Sequence, residues 1–302
     1  MAPHTNFPRS SFQSPVSSFQ FHKMLQLRLM TAADLPLALQ LTQQAGWNQT
    51  KADWRRFLLL HPQGCFVAQW EGQPVGTATT FLFGKVAWIA TVLVDEPFRR
   101  RGVGTRLVEH ALSHLEDHGA ATVRLDATEF GQPIYEQFDF RPEYDLARFE
   151  GRAGERPVDE KVQILAPDLI EAAIELDRRV TGTDRRCLLE HLLGKEAAKA
   201  WTSVGENGLI GYATVRRGRR ARQIGPAAAN VSDAGAALLD RAMSRCKGET
   251  VFADIPLDNR AAVEWAKDRG LRVQRRFVRM SRGERVFDHP HQIWATSGPE
   301  KG

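Results

Sequence analysis

The segment that most constrains the fold runs from Val86 to Leu115, where an apolar strand pattern passes through a basic loop into a helix pattern. The stretch VAWIATVLV is apolar on both faces, which predicts a strand in the middle of a sheet. Beyond the loop, apolar residues recur at helical spacing, which predicts a helix with one buried face. The residues of that face are Val103, Leu107, Val108, Ala111, Leu112 and Leu115.

The loop between them, RRRGVG from Arg99 to Gly104, has the composition of an anion site. The first amides of a helix lack internal partners and lie at the positive end of its dipole. Glycine lets a bulky anion approach the backbone, so a phosphate or pyrophosphate fits here. A P-loop would need a lysine after the glycines, and a dinucleotide-binding turn would need glycine in place of Leu107. A solvated basic loop that only caps the helix stays open as the alternative.

Composition limits the classes of protein that need to be considered. The chain has 302 residues, 42% of them hydrophobic, which is enough for two folded domains. Lys and Arg exceed Asp and Glu by only 41 to 36, which suits a small anionic ligand at least as well as nucleic acid. Cys65, Cys187 and Cys246 form no paired motif, which favours a reducing, cytoplasmic location. No apolar run is long enough for a membrane span, so no membrane partner is predicted.

The chain reads as a tail followed by two similarly ordered halves. Residues 1–23 are rich in Ser, Gln, Phe and Pro and are predicted to be a disordered tail; a transit peptide is the weaker alternative. A first domain is predicted over 24–150, a linker over 151–161, and a second domain with a similar order of elements over 162–297.

Two motifs resemble a known family. The spacing R-x-x-G-x-G after the apolar strand, and TEFGQPIYEQFDF downstream, are similar to motifs A and B of the GNAT acetyltransferases. In the second motif Thr128 stands at the family's Asn, Gly131 at its Ala, Ile134 at its Leu, Tyr135 at its Tyr and Phe140 at its Phe. The resemblance covers about Leu25 to Glu150. It implies an α+β (α/β) fold of two tandem GNAT-like domains, each a mixed, mostly antiparallel central sheet flanked by helices.

The resemblance also implies acetyl-coenzyme A as co-substrate. The strand would offer backbone groups to the pantetheine arm, and the loop would hold the pyrophosphate. Tyr135 would protonate the leaving thiolate, which suits a phenol because it stays protonated at neutral pH. The implied coenzyme-binding residues are Val92, Leu93, Val94, Arg99, Arg100, Arg101, Gly102, Val103, Gly104 and Thr105.

Three departures from the family pattern leave parts of the site open. Asp139 replaces the glycine before Phe140, and Thr128 replaces asparagine. Trp88 stands where some relatives carry a glutamate base, so the base must come from elsewhere. Asp126, at the end of the next strand, is the candidate base, directly or through water; a helix or turn cap is the alternative.

The acceptor pocket is predicted from AGWNQTKADW, in the region that covers the acceptor site in GNAT folds. Two indoles and the Asp53 carboxylate could recognise a cationic amine, although core packing of the tryptophans is the alternative. The residues predicted to bind substrate are Trp47, Asn48, Trp54, Trp88 and Thr128.

The second half resembles a degenerate GNAT domain of double-domain proteins. No R-x-x-G-x-G occurs there, and Asp233 would repel a phosphate, so one coenzyme site is expected. By resemblance Asp184, Arg185 and Asp254 could line the acceptor pocket, or act as caps and surface ion pairs. Five arginines between Arg216 and Arg222 read as a solvated hairpin turn, because no aromatic residues interleave with them.

The sequence therefore predicts an acyl-coenzyme-A-dependent N-acetyltransferase that acts on a primary amine of a small molecule by direct attack. The alternative is a non-catalytic sensor or partner-binding protein that binds coenzyme A or acyl-coenzyme A. No nucleic acid and no metal are expected, since His289 and His291 lack a third ligand at a suitable spacing. A monomer and a homodimer are equally compatible with the sequence.

Overall fold

A computed structural model describes residues 24–154, 159–194 and 199–302. The predicted tail, residues 1–23, and residues 155–158 of the predicted linker lie outside the described residues. The helices are Leu35–Gln44 (α1), Lys51–Leu60 (α2), Val103–Asp117 (α3), Gln132–Glu136 (α4), Ile170–Thr181 (α5), Arg186–Leu193 (α6), Ser232–Ser244 (α7) and Arg260–Asp268 (α8). The strands are Leu25–Leu29 (β1), Cys65–Trp70 (β2), Gln73–Phe83 (β3), Val86–Val94 (β4), Thr122–Ala127 (β5), Arg141–Arg152 (β6), Val162–Ile164 (β7), Lys199–Gly205 (β8), Gly208–Arg216 (β9), Arg222–Ala229 (β10), Thr250–Pro256 (β11), Arg272–Gly283 (β12) and Ile293–Ala295 (β13).

All the described strands join one continuous sheet. Its order is β1-β2-β3-β4-β5-β12-β6-β11-β10-β9-β8-β7, with β13 paired to β10 beside this path. Most neighbouring strands are antiparallel, while β4–β5 and β10–β11 are parallel. The mixed, mostly antiparallel sheet flanked by helices confirms the predicted α+β fold.

The two halves exchange their last long strands. β6 follows the first half along the chain but pairs with β11 of the second half. β12 follows the second half but pairs with β5 of the first half. The exchanged strands pair with each other in the centre of the sheet. β6 therefore crosses the predicted domain boundary at residue 150 and ends at Arg152, inside the predicted linker.

Each exchanged strand is fixed by a buried ion pair to its new neighbour. Arg279 of β12 lies opposite Asp126 of β5 and binds both of its carboxylate oxygens, at 2.8 and 2.9 Å. Arg148 of β6 lies opposite Asp254 of β11 and binds both oxygens at 2.7 and 2.8 Å. Fork-shaped pairs of this kind are strong and geometrically specific. The same kind of buried, bidentate arginine–aspartate pair therefore occurs twice at the junction, once in each half.

The core of the first half lies on both faces of its sheet. Helix α3 begins at Val103 as predicted and buries its apolar face against β2–β5. Close approach is needed there, because a Cβ on Gly76 of β3 would lie 2.9 Å from the Leu93 carbonyl oxygen and 3.2 Å from Leu107. On the opposite face α1 and α2 pack with Leu188 and Leu192 of α6, so the second half completes this core as well.

Candidate active site

The candidate site is a cleft that opens where the parallel strands β4 and β5 separate. Their ladder covers only residues 86–88 and 122–124 among the described residues. Beyond it the strands enclose a space of about 490 Å³, part of it open to solvent. Its lining residues are Trp47, Gln49, Ile89, Ala90, Thr91, Val92, Leu125, Asp126, Thr128, Tyr135, Arg148, Arg275, Phe277, Pro299 and Glu300.

A bulge in β4 turns its backbone toward this cleft. The pairing register with β3 shifts between Thr77 and Thr79, and Thr91 adopts a left-handed φ of 47°. The buried Thr77 hydroxyl donates to the Thr91 carbonyl at 3.0 Å, and the Thr79 and Thr91 hydroxyls share a hydrogen bond of 2.8 Å. Bulges re-aim a strand locally. Here the bulge presents the main chain of Thr91 and Val92 to the cleft.

The basic loop follows directly after β4. Arg99, Arg100 and Arg101 are exposed, and Arg100 and Gly102 both have left-handed φ angles, of 58° and 81°. The Arg99 Nε donates to the Val94 carbonyl at 3.0 Å, which ties the loop to the end of the strand. These positions lie together at the mouth of α3, as the sequence predicts.

The beginning of α3 fits a pyrophosphate. Its N-cap, Gly102, supplies no side-chain hydrogen bond, and the first turn carries no acidic residue. The unpaired amides therefore face no competing protein acceptor among the described residues. A Cβ on Gly104 would meet only Val94, at 3.8 Å, so the backbone there is open to a bulky anion.

Tyr135 of α4 forms one wall of the cleft. Its ring packs edge-on against the buried Phe140, with ring centroids 5.9 Å apart. Burial raises the pKa of the Tyr135 phenol to about 12, so it is a proton donor throughout the neutral range. Asp139, at the position of the family's glycine, adopts the left-handed φ of 63° that favours glycine. Aspartate tolerates this conformation better than most residues, so the turn into Phe140 is kept.

Asp126, the candidate base, lines the cleft with both carboxylate oxygens occupied by Arg279. Arg279 also donates to the Tyr144 hydroxyl at 2.7 Å and lies over the Trp88 ring, 4.6 Å from its centroid. Burial raises the pKa of Asp126, while the bound guanidinium opposes that rise. The carboxylate is thus accessible to a substrate proton only through water or by loosening the pair.

Of the five residues predicted to bind substrate, Trp47 and Thr128 line the cleft. Asn48 is buried, and its side-chain oxygen accepts from the backbone amides of Arg220 and Ala221 at 2.9 and 3.1 Å. These two bonds hold the arginine-rich turn. Like Asn48, the other two, Trp54 and Trp88, do not line the cleft, since the structure places them in the core.

Trp54 is fully buried, and its indole donates to the Thr42 hydroxyl at 3.0 Å. Trp88 is buried between Arg279 and Gly302. Asp53, suggested as a partner for a cationic amine, caps α2 and binds Arg56 and Arg216 at 2.8 and 2.9 Å. Both indoles and the carboxylate therefore act within the core and the junction of the halves, where apolar burial and paired charge are favoured.

Ten of the residues that line the cleft were missed from the sequence, and five of them come from the exchanged strands or the 296–302 segment. The ten are Gln49, Ile89, Ala90, Thr91, Leu125, Arg148, Arg275, Phe277, Pro299 and Glu300. The one local signal for Arg148 and Arg275 was that arginines stand among the apolar residues of β6 and of β12. Their convergence depends on the strand exchange, which no local pattern reveals.

The 296–302 segment enters the cleft through a network of buried charges. The Glu300 carboxylate accepts from Arg216 at 3.0 Å, from Gln49 at 3.1 Å, and from Lys301. The Lys301 ammonium lies over the Phe57 ring, 5.5 Å from its centroid, and burial lowers its pKa to about 8. These contacts hold Glu300 at the wall of the cleft.

In the second half the corresponding split is closed. β10 and β11 pair only over 222–224 and 251–253, and β13 then lies alongside β10. The Thr296 amide donates to the Asp254 carbonyl at 2.8 Å, so the chain bridges both strands. Trp294 packs against Gly235 in the first turns of α7, where any Cβ would clash with the indole. The space that forms the cleft in the first half is here filled by protein.

The residues that resemblance suggested in the second half have structural partners. Asp254 binds Arg148, Arg185 binds Asp177, and Asp184 accepts from the Arg186 amide at 3.1 Å. In the described ranges no group of three or more His, Cys, Asp and Glu side chains is placed to hold a metal ion. No helix of the described chain is both long and apolar enough to cross a membrane.

Comparison with known proteins gives two family matches. Residues 33–140 match the model of the acetyltransferase (GNAT) family, and residues 173–295 match that of an acetyltransferase (GNAT) domain. The chain is 24% identical over 259 residues to the holothin acyltransferase of a Pseudoalteromonas species, covering 85% of this chain and 87% of that protein. It is 26% identical over 226 residues to the uncharacterized N-acetyltransferase YitH of Bacillus subtilis, covering 73% and 78%.

Solved structures share the fold over most of the chain. A protein of Pyrococcus horikoshii thought to be an acetyltransferase superposes with a TM-score of 0.81 at 24% identity, covering 99% of this chain and all of that one. A tandem GNAT protein from the clavulanic acid biosynthesis pathway superposes with a TM-score of 0.64 at 15% identity, covering 87% and 100%.

Proposed function

This chain belongs to the acetyltransferase (GNAT) family, and from that premise we propose that it transfers an acetyl group from acetyl-coenzyme A to a primary amine of a small molecule. The family uses acetyl-coenzyme A as co-substrate. The observation that carries the proposal is the cleft between β4 and β5, which has an uncapped, arginine-flanked helix start beside it and a protonated phenol in its wall.

The first half would hold the coenzyme. In this proposal the backbone of Val92, Leu93 and Val94 pairs with the pantetheine amides, because β4 has no strand partner on that side beyond residue 88 among those described. The pyrophosphate lies against the loop at the mouth of α3, where free amides, the helix dipole and arginines act together. The residues of that loop are Arg99, Arg100, Arg101, Gly102, Val103, Gly104 and Thr105.

Acetyl-coenzyme A would supply an acetyl group activated as a thioester. The amine nitrogen bonds to the acetyl carbon, the carbon–sulfur bond breaks, and the sulfur takes the proton that Tyr135 holds. Positioned general acids contribute about 10²- to 10⁴-fold in rate. The amine must also lose a proton, and we assign its removal to Asp126 acting through water, since Arg279 occupies both carboxylate oxygens.

One observation favours a second candidate, a non-catalytic sensor that binds coenzyme A. Both carboxylates of the cleft, Asp126 and Glu300, are already bound by cations. A protein that only binds the coenzyme needs no base. Turnover of any amine by the unmodified protein would dismiss this candidate.

The test is calorimetric titration with acetyl-coenzyme A. Micromolar binding is expected for the unmodified protein, and Arg99→Ala with Gly104→Glu should abolish it, because a carboxylate among the free amides repels the pyrophosphate. A Cβ at residue 104 would meet only the Val94 side chain, at 3.8 Å, so the substitution causes no backbone clash. Gly154→Glu is the matched control, since Gly154 is exposed and a Cβ there would have no atom of a described residue within 4 Å. No binding by the unmodified, folded protein would overturn the proposal.

The cytoplasmic location stays a prediction. No disulfide joins the three cysteines, all of which lie in the described part of the chain, and Cys65 and Cys246 are buried. This agrees with a reducing compartment.

A further inference from the structure

The wall that the second half contributes to the cleft carries an unbalanced positive charge. Arg148 of β6 and Arg275 of β12 both line the cleft and lie directly opposite each other in the β6–β12 ladder. Like charges directly opposite across two strands are destabilising. Arg148 is balanced by its fork-shaped pair with Asp254. The Arg275 side chain makes no hydrogen bond or ion pair with any described residue.

This is unusual within the same molecule. All six buried arginines of the described chain hold a carboxylate; they are Arg56, Arg124, Arg148, Arg185, Arg216 and Arg279. Arg275 is half-buried. Burial, with Arg148 and Arg220 nearby, lowers its pKa, and Asp254 opposes this shift. The protein therefore leaves a desolvated cation facing the cleft without supplying its counter-charge.

The pseudo-symmetry of the junction shows what a neutral arrangement would be. Arg279 occupies in β12 the place that Arg148 occupies in β6, and the residue facing Arg279 is Tyr144, whose hydroxyl accepts from it at 2.7 Å. At the equivalent place facing Arg148, the chain carries Arg275. Arg279 thus faces the hydroxyl acceptor of Tyr144, whereas Arg148 faces a second cation, Arg275, on the side that opens to the cleft.

An orphaned acceptor lies in the same cleft. Gln49 is only 4% exposed, and its amide nitrogen donates to Glu300 at 3.1 Å. Its amide oxygen has no partner among the described residues. A buried carbonyl oxygen left unpaired costs free energy that a ligand N–H group can recover. The cleft thus offers an unpaired acceptor for an amine and an unpaired cation for an anion.

We propose that the acceptor amine also carries an anionic group, a carboxylate or a phosphate, and that Arg275 binds it. This deepens the proposed function and rests on it. The acceptor is then a molecule of the amino-acid kind, with its amine toward Gln49 and Tyr135 and its acid toward Arg275. Polyamines and other purely cationic amines are disfavoured, because Arg148 and Arg275 line the same wall.

The experiment compares matched amines with and without the acid. The standard L-amino acids are assayed against the corresponding L-amino acid amides, and O-phosphoethanolamine against ethanolamine, with release of coenzyme A thiol as the readout. The two pairs distinguish carboxylate from phosphate. We expect the acidic member of the preferred pair to exceed the neutral one about 10- to 100-fold in kcat/KM, the usual effect of a charge-assisted hydrogen bond.

Arg275→Gln should remove that preference, and Arg275→Lys should restore part of it, because lysine keeps the charge but loses the fork. Arg276→Gln is the matched control, since this exposed neighbour belongs to the same strand and does not line the cleft. Binding of the same amines to the protein saturated with coenzyme A, measured by calorimetry, provides a readout besides turnover.

The outcomes separate the two proposals. Failure to bind acetyl-coenzyme A would overturn the proposed function. Coenzyme binding with neutral amines used or bound as well as acidic ones, or an acid preference unchanged in Arg275→Gln, would overturn only the inference. Coenzyme binding without binding or turnover of any acidic amine in the set would also overturn it.

Discussion

The two halves of this molecule have the same order of elements but treat the same place in the sheet in opposite ways. In the first half β4 and β5 separate and leave a cleft. In the second half β10 and β11 separate likewise, and β13 fills the space. A parallel pair of strands that splits exposes unpaired backbone groups, which need a partner. In the proposed function a ligand pairs with the backbone groups of the first half. In the second half the protein's own strand β13 pairs with β10.

The helices that follow differ in the same sense. α3 begins beside three arginines without an acid in its first turn, while α7 begins with Asp233 in its first turn and Trp294 packed against Gly235. In the second half β13 fills the space between the separated strands, and the fold is the same. The second half also contributes residues to the wall of the first half's cleft. Similar folds therefore do not imply similar sites.

The largest effect is expected for Tyr135→Phe, because α8, which follows β11 as α4 follows β5, contains no tyrosine. Loss of the proton donor should lower kcat about 10²- to 10⁴-fold and leave the affinity for acetyl-coenzyme A unchanged. Steady-state kinetics beside calorimetry would check this. An unchanged kcat would show that water or another group protonates the sulfur.

The junction pairs test whether the halves are equivalent where they exchange strands. Arg279→Met and Arg148→Met each leave a buried aspartate without its arginine, although Asp254 keeps a hydrogen bond from Gln223 at 3.2 Å. Removing one partner of a buried ion pair costs about 3–5 kcal/mol in comparable cases. Because both pairs are buried and bidentate, the two losses of unfolding free energy should be similar. Denaturant unfolding measures them, with Arg276→Met as the surface control. A loss confined to one variant would contradict the equivalence.

Trp294→Ala tests the closed split. Removing this buried indole should cost about 3 kcal/mol, since large-to-small changes leave a cavity. The number of acetyl-coenzyme A molecules bound should not rise, because Asp233 and the missing arginines still disfavour a pyrophosphate. A second molecule bound in calorimetry would show that β13 alone blocks that site.

The smallest expected effect concerns acid stability. α3 carries His114, whose ring lies 5.2 Å from Phe66, while α7 has no histidine. Burial, followed by His118, His110 and His61, lowers the pKa of His114 below its ordinary 6.5. The unfolded chain then binds more protons than the folded one as pH falls below about 6.5, so stability declines in that direction.

His114→Gln should therefore reduce the fall in melting temperature between neutral pH and pH 5. Exposed His289→Gln in the second half is the control, for which the pH dependence should stay that of the unmodified protein. An unchanged pH dependence in His114→Gln would assign the acid sensitivity to other groups.

Local patterns predicted the strand, loop and helix start where we propose that the coenzyme binds, but few of the residues contributed by the second half of the chain. The strand Val86–Val94, the loop after it and the start of α3 at Val103 are contiguous, so periodicity and spacing reveal them. Asp139 was recognised as a departure from the family pattern, but its left-handed φ became visible only in the structure.

The acceptor side depends on pairings between residues far apart in sequence. Arg279 with Asp126, and Arg275 beside Arg148, meet only because β12 inserts between β5 and β6. The same sequence is compatible with two separate sheets, so neither pair could be inferred. Trp54 and Trp88 were predicted in the pocket because aromatic residues suit both cores and ligand sites, and only burial distinguishes the two.

The strand exchange also determines when, during synthesis, this site comes into being. A ribosome makes the coenzyme loop early, yet β12 and Glu300, which complete the cleft, emerge from it some 170 to 200 residues later. Until then β5 lacks its neighbour, and Asp126 has no arginine to hold. A nascent or prematurely ended chain would thus carry a coenzyme loop without a finished acceptor wall. The lining of the cleft is therefore complete only after Glu300 has been translated.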